Sequence, residues 1–157
     1  MLRGDLQYDV NDLDKVVSRL VTVFQAGNTT TLVKGRRRTR LDNPSMQLVS
    51  AVYTFITNLI LSINVKDVNG LPKGFHKSLT IALPDNPMQT FVLDAQLVYT
   101  AQRAGWTIEE IPVTFHARRA GISSWSGKRI QTYLRSIHQL FSVRRAGVNA
   151  AATSVKK

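Results

Sequence analysis

Residues 91–115, FVLDAQLVYTAQRAGWTIEEIPVTF, contain the pattern that decides the fold. Their first part repeats apolar residues at helical spacing, on one face formed by Leu93, Leu97, Val98 and Ala101. This predicts a helix over residues 91–104 that ends at Gly105. Residues 107–115 alternate apolar and polar side chains and predict a strand, which Pro112 restricts to a sheet edge or a bulge. A helix followed at once by a strand predicts an α/β fold.

Another helix and strand are predicted upstream, before a run of basic residues. Residues 11–25 have the spacing of a core-facing amphipathic helix, with Asn11 or Asp12 as its N-terminal cap. Residues 29–34 are rich in β-branched side chains and predict a short strand. Because Gly35 and several arginines follow this strand, we expect a phosphate-facing loop there.

Three later segments complete the domain organisation. Residues 78–83 have the composition of a further strand, and residues 129–143 predict a helix with one apolar and one basic face. Residues 146–157 are small and polar, which predicts a disordered tail. Residues 1–145 are therefore expected to form a single domain.

An uncharged stretch over residues 46–65 predicts a helix long enough to raise the question of a membrane span. Its polar residues recur at steps of three and four and form one stripe: Gln47, Ser50, Thr54, Thr57, Asn58 and Ser62. Apolar residues cover the remaining surface. The pattern favours a helix that packs on the domain or lies in a membrane interface over one that spans the bilayer.

The composition narrows the chemistry that the chain can perform. None of the 157 residues is a cysteine, which excludes disulfides, thiolate metal sites and a cysteine nucleophile. Twenty-one Lys and Arg against ten Asp and Glu give a formal net charge of +11. This charge favours anionic partners such as phosphates or acidic lipids.

Three segments, taken in order, resemble the family 2 glycosyltransferases, in the branch close to dolichol-phosphate mannosyltransferase. The first is residues 4–9, GDLQYD, similar to the family's Asp-x-Asp-Leu-Gln. The second combines residues 34–37, KGRR, with residues 67–75, DVNGLPKGF. The third and most specific is residues 91–125, which contain FVLD, AQRAGWTIEEIPV and RRAGISSW. There the family has Ile-x-Glu-x-Pro-Val and then Arg-x-x-Gly-x-Ser.

The resemblance implies a partial GT-A domain, a Rossmann-like α/β fold, that lacks its N-terminal nucleotide-binding half and carries amphipathic helices. It implies an inverting transfer of a sugar from a nucleotide donor to polyprenyl phosphate, a glycan or a similar acceptor. Because the half that binds the base and ribose is absent, we expect the isolated chain to be inactive. Either the chain is a truncated gene product or a partner chain supplies the missing half.

The resemblance also implies roles for single residues. Asp5 matches the second carboxylate that holds Mg²⁺ or Mn²⁺, while Arg3 stands where the family has the first. Asp94 matches the catalytic acidic residue that orients or deprotonates the acceptor, and the N-terminal cap of a helix is its alternative use. The other matching residues are expected to bind substrate: Gln7, Arg37, Asp67, Arg118, Ser123 and Trp125.

Two other classes of function remain open. The arginine runs suit a nucleic-acid-binding module, but the sequence has none of the motifs of such modules, so we expect no nucleic-acid partner. The amphipathic helices and the basic run also suit a non-catalytic module at a membrane surface. For the enzyme, the same features predict a peripheral position at the cytoplasmic face of an anionic membrane.

Overall fold

The computed structural model describes residues 7–84, 86–88, 91–116 and 129–154. Within these ranges the chain forms a mixed α/β structure, so the predicted fold class is confirmed at this level. The helices are α1 (Val10–Gln25), α2 (Pro44–Leu61), α3 (Ser78–Ile81), α4 (Val92–Arg103) and α5 (Arg129–Ser154). The strands are β1 (Thr31–Arg40), β2 (Lys73–Gly74) and β3 (Thr107–Phe115).

Strand β1 lies at the centre of the sheet, whose order is β2-β1-β3. It pairs antiparallel with β2 and parallel with β3, from Thr31 opposite Thr107 to Arg40 opposite Phe115. β3 is therefore at an edge of the described sheet. An edge is the position expected for Pro112, whose nitrogen has no hydrogen to donate to a neighbouring strand.

Strand β1 is longer than the sequence predicted, which corrects the loop expected at Gly35. The strand continues to Arg40, through the basic run. Pairing with β3 over this length satisfies backbone groups that a loop would leave to water. The strand tolerates buried Lys34 and Arg37 because each forms an ion pair with an acidic residue.

Helix α1 begins at Val10, and its N-terminal cap is Asp9 rather than Asn11 or Asp12. The Asp9 carboxylate accepts a hydrogen bond from the backbone N–H of Asn11 at 2.9 Å. Asp12 lies in the first turn and is buried. Its carboxylate accepts a hydrogen bond from the backbone N–H of Thr114, which ties α1 to β3.

Different helices cover the two faces of the sheet. Leu20 of α1 would collide with a Cβ atom at Gly74, so α1 covers the face on which that glycine lies. Successive side chains alternate between faces, so the side chain of Lys73 is directed to the other face, toward α4. Leu32 of β1 joins a core on that side with residues of α2, α4 and α5.

Helix α2 buries both apolar and polar residues against the protein, Tyr53, Ile60 and Leu61 among the apolar ones. Thr54 and Thr57 are buried on its inner side. Its outer side exposes four large apolar residues about one turn apart, here called the outer stripe: Leu48 (67%), Val52 (48%), Phe55 (69%) and Leu59 (69%). The helix has no charged residue, and its length and composition would allow it to cross a membrane. In the structure, 28% of its residues are buried.

Two segments differ from the sequence-based expectation. Residues 78–81 form the short helix α3 instead of a strand, because their backbone N–H groups bond to nearby carbonyls, such as Thr80 to Lys77. Helix α5 continues to Ser154, through part of the range 146–157 that we expected to form a tail.

Candidate functional site

Three charged side chains form a row across the sheet. Lys73, Lys34 and Glu110 occupy facing positions on β2, β1 and β3, and facing residues share one side of a sheet. Lys34 is 0% exposed, and its Nζ donates to Glu110 Oε1 at 3.2 Å and to the backbone oxygen of Asp67. Burial lowers the pKa of Lys34, although the charges of Asp67 and Glu110 act to raise it. These acids therefore offset part of the cost of burying the amine.

A second buried ion pair joins β2 to α4. Lys73 Nζ lies 2.5 Å from Asp94 Oδ1, and the two side chains are 0% and 2% exposed. Burial lowers the pKa of Lys73 to about 8, against the opposing charge of Asp94. Asp94 lies in the first turn of α4, whose N-terminal cap is Phe91, so the alternative that Asp94 is the cap is wrong. In this structure the Asp94 carboxylate contacts Lys73 and is closed to an acceptor.

Arg37 and Asp67, both predicted to bind substrate, bind each other. Nε and Nη2 of Arg37 donate to the two carboxylate oxygens at 2.8 and 2.7 Å, and its backbone N–H donates at 3.0 Å. Nη2 also donates to Ser50 Oγ of α2. Burial is the largest single influence and acts against both charges, but the hydrogen bonds and the opposite charges together outweigh it: they lower the pKa of Asp67 to about 2 and raise the pKa of Arg37. The pair therefore fixes the loop after α2 to β1.

Two glycines allow this loop to lie directly on the strand. A Cβ atom at Gly35 would lie 2.1 Å from the backbone oxygen of Leu71, and one at Gly70 would lie 2.0 Å from the backbone oxygen of Gly35. Both obstacles are backbone atoms, which cannot move aside as a side chain can. The Lys-Gly and Asn-Gly parts of the motif are thus required by the close approach of two backbones.

The parallel strands β1 and β3 end together beside residues 7 and 8. Tyr8 forms an isolated antiparallel bridge with Phe115, and their rings meet edge to face at 5.2 Å. The backbone oxygen of Gln7 accepts from the N–H of His116, and the Gln7 side-chain amide donates to the His116 oxygen. We call the region of Gln7, Arg40, Phe115 and His116 the carboxyl edge. In open α/β sheets, ligands bind outside this end of the strands.

Basic side chains surround the carboxyl edge. The guanidinium carbons of Arg37 and Arg40 lie 5.3 and 5.4 Å from the centre of the Phe115 ring. The pairing of β1 with β3 shifts between Arg37 and Thr39, which leaves Arg38 as the extra residue of a bulge. Arg38 is exposed and forms no ion pair with any residue that the structure describes. Such an arginine can donate two parallel hydrogen bonds to a phosphate.

Four predicted site residues lie outside the described ranges: Asp5, Arg118, Ser123 and Trp125. The described residues contain no group of three or more His, Asp or Glu side chains that could hold Mg²⁺ or Mn²⁺.

Sequence reasoning missed Lys34, Lys73 and Glu110 as members of one charged row. A signal exists for Lys34. It follows three consecutive buried residues of β1 and therefore also occupies an inward position. Its partners depend on strand register, which places residues far apart in sequence opposite one another.

No family model matches the chain, and no solved structure matches it.

Proposed function

We propose that this chain forms the acceptor side of a family 2 glycosyltransferase with a partial GT-A fold. The enzyme would move a sugar from a nucleotide donor to polyprenyl phosphate or a similar acceptor. The proposal is supported by the sequence resemblance and by the arrangement of basic residues at the carboxyl edge.

One observation carries the proposal: three residues singled out by the resemblance lie in connected contacts near this edge. They are Gln7, Arg37 and Asp67. The segment with the other substrate-binding candidates follows His116 directly in the sequence and includes Arg118, Ser123 and Trp125. A ligand outside the carboxyl ends of β1 and β3 would lie beside Gln7 and Phe115.

A phosphate acceptor suits these residues better than a hydroxyl acceptor. In the inverting transfer, an acceptor phosphate oxygen bonds to the anomeric carbon while the bond to the nucleotide diphosphate breaks, and that electron pair leaves with the diphosphate. An ionised phosphate needs no general base, which agrees with an Asp94 held by Lys73. Arg38 at the bulge is suited to bind the acceptor phosphate.

The outer stripe of α2 supports a peripheral position on an anionic membrane, which we propose to be at its cytoplasmic face. Its four exposed apolar side chains would contribute on the order of 4–8 kcal/mol on leaving water, before the costs of association. Helix α5, which packs against α2, contains no acidic residue. The net charge of +11 would add attraction to anionic lipids.

A second candidate is a membrane-surface module without catalysis. The outer stripe favours it equally, and the burial of Asp94 fits it without further assumption. The two candidates differ in whether the carboxyl edge acts on an acceptor.

A transfer assay tests the proposal. Labelled nucleotide sugars and polyprenyl phosphate in anionic vesicles are incubated with the chain alone, and with a separately expressed donor half of a family 2 glycosyltransferase. We expect transfer only when both polypeptides are present. Arg118→Lys should lower the rate roughly 10- to 100-fold, because lysine cannot form two parallel bonds to a phosphate, while Arg119→Lys serves as the neighbouring control.

Two results would contradict the proposal. Micromolar binding of a nucleotide sugar to the chain alone would mean that the chain contains a donor site. Equal loss of transfer in both arginine variants, or loss in neither, would remove the special role of Arg118.

A further inference from the structure

Two adjoining cavities lie at the end of the sheet opposite the carboxyl edge. Their volumes are about 430 and 360 Å³. Tyr99 and Arg103, one turn apart on α4, line both cavities. Because α4 leads into the first residue of β3, the cavities lie near the amino ends of the strands.

The larger cavity has mainly apolar walls from the end of α3, from α4 and from α5. They include Leu83, Tyr99, Val143 and Ala146. Gly147 brings α5 close to α4, since a Cβ atom there would lie 2.5 Å from Cε1 of Tyr99. The cavity is therefore a gap between closely packed helices that is suited to an apolar chain.

The smaller cavity is positively charged. Arg103 and Arg144 both line it, and Arg144 is held in place because its Nη1 donates to the backbone oxygen of Ile60 at 2.9 Å. Neither cavity has an acidic residue among the described residues that line it. An apolar space thus adjoins cationic groups whose charge no lining residue neutralises.

We propose that the two cavities together bind a medium-chain fatty acid, with its alkyl chain in the larger cavity and its carboxylate on Arg103. At roughly 30 Å³ for each methylene-sized group, the larger cavity holds a chain of about 10 to 14 carbons. A guanidinium and a carboxylate match as a planar pair with two parallel hydrogen bonds. This binding uses no residue of the carboxyl edge and is independent of the proposed sugar transfer.

Calorimetric titration of the full chain with dodecanoate, below its micelle concentration, tests the site. We expect one molecule to bind per chain with micromolar affinity. Dodecyltrimethylammonium, which has the same chain length and the opposite charge, should bind at least tenfold more weakly. Acetate, which has the carboxylate without the chain, should give no measurable heat.

Variants locate the binding. Arg103→Ala should weaken dodecanoate binding at least tenfold, and Ala146→Leu should do the same by narrowing the larger cavity. Arg135→Ala removes another exposed arginine, on α5 but outside both cavities, and should bind dodecanoate as the parent chain does. Phe55→Ser weakens the outer stripe of α2 and should also leave the affinity unchanged.

Three outcomes would overturn the inference. Equal affinity for dodecanoate and dodecyltrimethylammonium would exclude recognition of the carboxylate. Unchanged binding by Arg103→Ala, a surface variant expected to fold normally, would exclude the assigned head-group site. Loss of binding in Phe55→Ser would move the fatty acid to the outer stripe.

Discussion

The interior beside β1 and the outer side of α2 reverse the usual distribution of side chains. Lys34 and Lys73 are fully buried, and each is held by a carboxylate. The outer stripe, by contrast, leaves Phe55 and Leu59 69% exposed on a helix without any charge. Globular proteins bury apolar residues and almost never bury unpaired charges.

The two regions are stabilised in different ways. The buried ion pairs are fixed by geometry within the chain, because each charge requires its partner at hydrogen-bonding distance. None of the described residues covers the outer stripe, so its apolar side chains gain free energy only by leaving water. Variants of the interior should therefore change folding stability, while variants of the stripe should change association.

The largest effect is expected from breaking the pair of Lys73 and Asp94. Asp94→Asn would remove the carboxylate that lies against the buried Lys73 amine, at a cost of about 3–5 kcal/mol in the free energy of unfolding. Urea denaturation followed by circular dichroism measures this. The double variant Lys73→Met, Asp94→Leu should restore most of the loss, because it removes both charges. A double variant as unstable as Asp94→Asn would show that the charges themselves are needed.

The outer stripe should give a large effect on membrane binding and a small one on stability. The double variant Phe55→Ser, Leu59→Ser should bind anionic vesicles roughly 10- to 100-fold more weakly in a sedimentation assay, because two exposed apolar side chains no longer leave water. Val10→Ser is the matched control, since Val10 is 70% exposed but lies on α1. Equal losses of vesicle binding in the two variants would show that exposed apolar side chains in general, and not the outer stripe, cause the binding.

The pair of Arg37 and Asp67 predicts a specific acid sensitivity. The pKa of Asp67 is about 2 in the folded chain and near 3.8 when unpaired, so the folded state favours the ionised carboxylate. Its contribution of about 2 kcal/mol is present above pH 4 and is lost as the pH falls toward 2. Urea titrations across this range should show that slope. Asp67→Asn should be less stable than the parent above pH 4, approach it as the pH falls toward 2, and so have a shallower slope; an unchanged slope would contradict the assigned pKa.

The smallest effect is expected for the exposed pair of Arg19 and Glu109. Its guanidinium and carboxylate meet at 2.6 Å, but the arginine side chain is 45% exposed, and water screens the interaction. Arg19→Ala should therefore leave the urea midpoint almost unchanged. A loss comparable to that of Asp94→Asn would mean that burial does not distinguish the two pairs.

Local patterns predicted much of the fold. The helices near residues 11–25 and 91–104 and the strand at residues 107–115 follow from side-chain periodicity, and the structure contains all three. The length of β1 could not be predicted, because parallel pairing with β3 extends it through a basic run that resembles a loop. The predicted N-terminal cap of α1 was wrong by two residues or more. Asp9 and Asp12 both suit the cap position, and only the tertiary contact of Asp12 with Thr114 distinguishes them.

The candidate site was less predictable than the fold. Arg37 and Asp67 were identified from motifs, but the motifs did not reveal that the two residues bind each other. The partner of Asp94 lies on another strand, and its identification requires knowing that β2 pairs with β1 at Lys34. Contacts between distant segments determine these ion pairs, and sequence spacing does not encode them.

The most direct test of the central claim is an NMR titration of the full chain with a prenyl phosphate and, separately, with a nucleotide sugar. If the chain is the acceptor side of a sugar transferase, prenyl phosphate should shift the amide signals of Arg38, Arg40 and His116 at the carboxyl edge. The nucleotide sugar should produce no saturable shift. A prenyl phosphate that leaves these signals unchanged, or a nucleotide sugar that binds the chain alone at micromolar concentration, would contradict the account.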